Sequence, residues 1–270
     1  GEALAMRRID AANGASNGES LGNAWQGHPF LLPLPGGEAT LTLVDGANCF
    51  NINSLVIEPT VGGSAARPIA VEQFIALEQA IGIDRTAGTR IANSAADWID
   101  ADDVASPQGA EDSAYAGASP HYRTPNQPII SPEELRSVSG MTPQIWSRLR
   151  RWVCALPSSD LSPLNVNTLL PEQAPLLQML VPGLSPAQAR AHLAARPAGG
   201  YGSINRFWNA PTMAGTNPGP DAAQQVKLTT RWFTLHSKVR IGDVTMAAES
   251  LIDAERVPAR VVRRRWIGEE

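Results

Sequence analysis

The sequence has few of the residues that staple, anchor or catalyse. Only two of its 270 residues are cysteine, Cys49 and Cys154, and no CxxC occurs, which excludes a four-thiolate zinc site. No apolar run reaches the roughly 18 residues of a membrane span, and no signal-peptide pattern opens the chain. A basic excess is missing too: 22 Lys and Arg stand against 26 Asp and Glu, for a net charge of −4. That excludes the overall positive field of a dedicated nucleic-acid binder. The four histidines, His28, His121, His192 and His236, lie apart with no second ligand beside any of them. There is no GxSxG elbow, HExxH, P-loop or GxGxxG. The reading is therefore against an enzyme.

What is present describes an ordinary folded chain. Apolar residues make up 43% and charged residues 18%, enough apolar surface to pack a core without metal or disulfide staples. The length suits one large domain or two modest ones. The 23 glycines and 22 prolines predict many turns and broken helices.

Glu2 to Asp10 reads as helical, ended by the Asn13-Gly14 to Asn17-Gly18 segment. Pro33 to Gly37 reads as a turn. Ala39 to Val44 alternates as a half-buried strand does, and Cys49 to Leu55 alternates again, with Asn51 and Asn53 expected to satisfy nearby backbone groups. Composition shifts near Gly62-Gly63-Ser64. Helical periods follow, over Pro68 to Ile81 and Arg85 to Asp100, and then a Pro- and Gly-punctuated loop from Ala101 to Ile130. Beyond a loop from Thr212 to Pro220 the period returns to two, with strands expected in Val226 to Val239, Val244 to Ile252 and Arg260 to Trp266. Strands at both ends and helices between them point to an α+β fold, a small sheet domain with a helical domain inserted into it.

Residues 131–196 hold a weak repeat. Each copy has a helix, a glycine (Gly140, Gly183), one apolar residue, Thr-Pro or Ser-Pro, and a second amphipathic helix. The pattern resembles a helix-hairpin-helix, whose glycines let backbone N–H groups approach phosphate. The second glycine is replaced here by Thr142 and Ser185, so compact helical packing is favoured over nucleic-acid binding. Ser203 to Trp208 reads as one more short helix. In Arg263-Arg264-Arg265, Arg264 points away from its neighbours on a strand, so a charged edge strand is favoured over a polyanion patch.

The strongest local signal is Asp97 to Asp112. Six of its sixteen residues are acidic and none is basic. Like charges repel, and a hard cation with six to eight oxygen ligands would remove the penalty. A solvated acidic loop is the alternative, and the spacing is not that of an EF-hand. The two cysteines are equally open at this point: buried thiols in a reducing compartment, a disulfide in an oxidising one.

An ordered series of short motifs spans nearly the whole chain. It includes Phe50-Asn51-Ile52-Asn53-Ser54-Leu55, Asp97-Trp98-Ile99-Asp100-Ala101-Asp102, Gly109-Ala110-Glu111-Asp112, Tyr122-Arg123, Asn126, Gly140-Met141-Thr142, Val153-Cys154-Ala155-Leu156-Pro157 and Asn165-Val166-Asn167-Thr168. This series resembles the GspK family, the large minor pseudopilins of the bacterial type II secretion system. The resemblance implies a pilin-like α/β domain with an antiparallel sheet, residues 1–62 and 216–270, interrupted by a large helical domain, residues 63–215, with two helix-hairpin-helix-like repeats. It implies a hydrophobic N-terminal helix, absent here save for its tail at Glu2 to Asp10, that anchors a periplasmic domain in the inner membrane of a Gram-negative bacterium. It also implies a place at the pseudopilus tip with the minor pseudopilins GspI and GspJ, GspH adjoining. There the chain would act in initiation and capping of the pseudopilus, and contact with cargo or the outer-membrane secretin follows from its exposed position. A periplasmic setting implies a Cys49–Cys154 disulfide. Finally, the family implies calcium, one or two ions. Asp100, Asp102, Asp103, Glu111 and Asp112 are the candidate ligands, with Asp97 in reserve. Carboxylates without clustered histidine or thiolate select a hard cation, and a loop suits the irregular geometry of calcium better than that of magnesium.

Overall fold

The computed structural model describes residues 1–14, 25–57 and 65–267. The Gly62-Gly63-Ser64 composition change and the Asn17-Gly18 helix end lie outside them. Among the described residues, five strands form one antiparallel sheet in the order β1-β2-β9-β10-β11. These are β1 (Pro29–Leu34), β2 (Gly37–Asp45), β9 (Trp232–Ile241), β10 (Val244–Asp253) and β11 (Arg260–Ile267). The first two and last three strands are far apart in sequence and meet where β2 pairs with β9, with Leu43 opposite Leu235. Alternation along β2 buries Leu41 and Leu43. They pack with Phe233, Leu235 and Ile252 against Ala5 and Ile9 of α1 (Glu2–Gly14).

The expected turn over Pro33 to Gly37 narrows to Pro35-Gly36, because Pro29 and Pro33 disguise strand β1 in the sequence. This strand lies on the sheet edge, where a missing N–H costs no ladder bond.

Between the sheet's two halves the chain builds a second, larger core. The helices are α2 (Pro68–Ala80), α3 (Arg85–Ile99), α4 (Asp112–Tyr115), α5 (Pro143–Leu149), α6 (Ala174–Leu180), α7 (Pro186–Ala194), α8 (Ile204–Trp208) and α9 (Pro220–Gln225). Pro68 opens α2 in its first turn, and the Asp84 carboxylate caps α3 by accepting from Thr86 and Ala87 N–H. Phe50 stacks on Phe74 at 4.6 Å, and Leu55, Leu77, Ile91, Leu135, Leu177 and Phe207 belong to the same cluster.

The expected strand over Cys49 to Leu55 is mostly something else. Only β3 (Phe50–Asn51) is extended, and a 3-10 turn over Ile52–Leu55 follows. Alternation misleads here because both faces are buried. Asn51 and Asn53 do bond backbone, but groups distant in sequence. Asn51 donates to Ser158 and Asp160 carbonyls and accepts from Leu156 N–H. Asn53 donates to the Ile129 and Leu156 carbonyls and accepts from Ile129 N–H. Short two-residue strands complete the frame: β4 (Val56–Ile57) with β5 (Ala65–Ala66), β6 (Val153–Cys154) with β3, and β7 (Leu164–Asn165) with β8 (Val226–Lys227). The expected strand from Val226 to Val239 is thus split between β8 and β9.

Both repeat copies fold as hairpins. Gly140 and Gly183 take φ of +87° and +82°, which an L side chain rarely adopts. Thr142 and Ser185 cap α5 and α7 by accepting from Ile145 and Gln188 N–H. The first copy opens on a 3-10 helix, Pro132–Ser137, in place of an α-helix.

The Cys49–Cys154 disulfide is formed, with Cα atoms 5.8 Å apart. It sits beside the parallel pairing of Phe50 with Val153. The C-terminal edge strand is anchored as well as charged. Arg264 faces α1 and pairs with Glu2, whereas Arg263 and Arg265 face the other way. Arg263 donates to the Ile130 and Ala155 carbonyls, and Arg265 pairs with Glu249 and Glu133.

Candidate metal centre

The acidic segment wraps from the end of α3 to α4. Its first carboxylate, Asp97, is fully buried on the last turn of α3. Asp97 accepts from the backbone N–H of Ser106 and of Ala110, and so folds the loop back on the helix end. Gly109 makes this possible: a Cβ there would stand 2.0 Å from Asp97 Oδ2.

The fold-back brings Asp100, Asp102 and Glu111 together, with one carboxylate oxygen from each within 4.8 Å of the others. Asp100 and Glu111 are buried, whereas Asp102 is exposed. Asp100 Oδ1 and Glu111 Oε1 are buried and have no hydrogen-bond partner among the described residues. Two orphaned carboxylate oxygens facing a third carboxylate are costly unless something positive joins them. Burial, and then repulsion from Asp102, Asp97 and Glu111, pushes Asp100 up to about 7. Burial likewise raises Glu111, against the opposing bond from Thr124.

The other candidates have partners of their own. Asp103 Oδ1 accepts from the Asn126 amide, which also donates to the Asp102 carbonyl. Asp112 Oδ1 accepts from the backbone N–H and hydroxyl of Thr124, and its other oxygen lies 3.6 Å from Arg123. The Thr124 hydroxyl also reaches Glu111 Oε2 at 3.0 Å. Thr124 carries no sequence signal, because its role arises only when a chain segment twelve residues on returns to the carboxylates. A wall of Trp98, Tyr115 and Tyr122 backs the segment, with ring centroids 5.2–6.1 Å apart.

The residues present fit a hard divalent cation. The donors are all oxygen, two of them are unsatisfied, and among the described residues no histidine or thiolate joins the cluster.

Comparison with known proteins agrees on one family. Models of the type II secretion system protein K match residues 48–158 and 164–231. The type II secretion system protein K of Pectobacterium carotovorum subsp. carotovorum is 32% identical over 92% of this chain and 75% of its own length. That of Klebsiella pneumoniae is 31% identical over 99% of this chain and 82% of its own. Among solved structures, a chain of the GspK-GspI-GspJ complex from enterotoxigenic Escherichia coli superposes with a TM-score of 0.85 at 30% identity. The match covers 100% of this chain and 93% of that one. With its sheet, its helical core and both segments of the family model in place, this chain belongs to the type II secretion system protein K family, the GspK minor pseudopilins.

Proposed function

We propose that the chain is the periplasmic part of a tip subunit that assembles with GspI and GspJ, with GspH adjoining, and caps the pseudopilus. The family is a structural component of secretion rather than an enzyme. The observation that carries the reading is the near-complete superposition on a chain solved in complex with GspI and GspJ. In this reading the sheet and α1 form the pilin-like part, and the helical unit is an insertion that blocks addition of a further subunit. The segments are 1–62 and 216–270 for the first and 63–215 for the second. Phe50, Ile52, Leu55 and Val226 pack with the helices, which supports drawing the insertion wider. Among the described residues no helix is long and apolar enough to cross a membrane. The experiment is gel filtration of this chain with its cognate GspI and GspJ, in pairs and together. Co-elution of all three supports the reading, and a pairwise complex as stable as the ternary one counts against it.

The same proposal places structural calcium at Asp100, Asp102 and Glu111, with Asp97, Asp103 and Asp112 as supporting or second-ion ligands. The unpartnered oxygens of Asp100 and Glu111 support it. Binding to the folded state alone stabilises the fold by mass action. An affinity of roughly 0.1–1 mM would serve outside the cytoplasm. Calcium should raise the melting temperature of the parent relative to chelator, and Asp102→Ala/Glu111→Ala should abolish the rise. An identical melt in both conditions, or a full shift in the variant, rejects the site.

The helix-hairpin-helix alternative, nucleic-acid binding, gains no support. In both hairpins a side-chain oxygen, Thr142 or Ser185, takes the N-terminal N–H that a phosphate would need.

A further inference from the structure

The arginines of the two hairpins converge, although they are scattered in sequence. A groove of about 790 Å³ is lined by Arg136 after Leu135, Arg148 of α5, Arg150 and Arg151 behind it, Arg190 of α7, and Arg265 of β11. Two acids, Glu133 and Glu172, share the lining, in a chain whose net charge is −4. Arg265 is neutralised by Glu249 and Glu133. Among the described residues Arg148 donates to a neutral carbonyl, that of Gly82. Arg136, Arg151 and Arg190 have no ion-pair partner among the described residues, and all three are exposed. Positive charges lining one groove repel one another, and Arg136, Arg151 and Arg190 have no counter-charge to relieve it among the described residues.

The groove is not purely basic. Trp146 is half-buried in its lining, with Ile81 and Pro175. The Arg151 guanidinium lies 4.8 Å over the Trp152 ring, and the Trp152 Nε1–H has no acceptor among the described residues.

We propose that this groove docks an acidic, partly apolar peptide segment of a protein partner. Guanidinium groups match carboxylates in bidentate geometry, and arginine beside tryptophan is the usual composition of an interface anchor. The volume is that of a site for a few side chains rather than a long track. Glu133 and Glu172 disfavour a uniformly charged polyanion, because every phosphate passing them would be repelled, whereas a peptide can place apolar side chains there. The groove shares no residue with the carboxylate cluster, so the proposal stands apart from the metal reading.

The test is fluorescence polarisation with a labelled peptide alternating Glu and Leu, against a Lys-Leu counterpart, duplex DNA and phosphatidylglycerol vesicles. The parent should bind the Glu-Leu peptide alone, less tightly as salt rises from about 50 to 200 mM. Arg151→Glu/Arg190→Glu should weaken binding by about tenfold or more with an unchanged melting temperature. If that variant is unstable, Arg136→Glu must weaken binding by itself. No binding of the acidic peptide, undiminished binding by the variants, or tighter binding of DNA or vesicles overturns the proposal.

Discussion

At the scale of single residues, two positions carry consequences out of proportion to their size. Gly109 is required by close approach, since any side chain would meet the Asp97 carboxylate that folds the acidic loop. Gly109→Ala should therefore cost about 1–3 kcal/mol in urea unfolding and, at the calcium site proposed above, reduce the thermal shift that added calcium produces. A variant as stable as the parent would show that the loop closes another way. His192 is fully buried on α7, with Nδ1 2.6 Å from the Thr212 hydroxyl and Phe207 against its ring at 4.5 Å. Burial pulls its pKa down to about 4 from the ordinary 6.5. The unfolded chain then takes up a proton that the folded chain refuses. Stability should fall as pH drops from about 6.5 towards 4 and level off below. Urea melts at pH 7 and pH 5 check this: His192→Gln should lose less stability over that interval than the parent.

At the scale of elements, polar side chains do work that regular pairing does elsewhere. The segment from β3 through its 3-10 turn has little ladder of its own, and Asn53 binds it to the chain near Ile129 and Leu156. Truncation in Asn53→Ala leaves the Ile129 N–H and two carbonyls buried without partners. The expected loss is about 2–4 kcal/mol, seen as a lower urea midpoint with an unchanged slope. A loss under half a kcal/mol, on the order of a surface substitution, would mean that water replaces the amide. The hairpins follow the opposite logic. Their glycines, caps and prolines are local, so α5 and α7 begin where the sequence says they begin. The 3-10 form of the first hairpin's opening arm was not legible, because 3-10 and α turns share the same starting residues, Ser131 and Pro132.

At the scale of the whole molecule, the Cys49–Cys154 bond closes a span of 105 residues between the end of the sheet's first half and the helical core. In the chain-entropy account a loop of that length is worth roughly 4–5 kcal/mol. Cys49→Ser/Cys154→Ser should melt markedly lower, and reduction of the parent should reproduce the effect. If the reduced parent keeps its melting temperature, the unfolded chain is not the state that the bond restrains.

The sequence by itself determined what depends on near neighbours: α2 and α3 from their apolar stripes, β2, β10 and β11 from their period of two, the hairpin turns from Gly140 and Gly183. It also marked the acidic segment, because six carboxylates without a counter-charge are visible in sixteen letters. Only the tertiary structure decided which of those carboxylates meet. The return of the loop on Asp97 selects Asp100, Asp102 and Glu111, while Thr124 and Asn126 arrive from farther along the chain to engage Asp112 and Asp103. The same holds for β1, whose prolines are tolerable only on an edge, and for the arginine groove, assembled from six separate stretches. Such features rest on contacts between distant segments, which packing creates and which no local periodicity encodes.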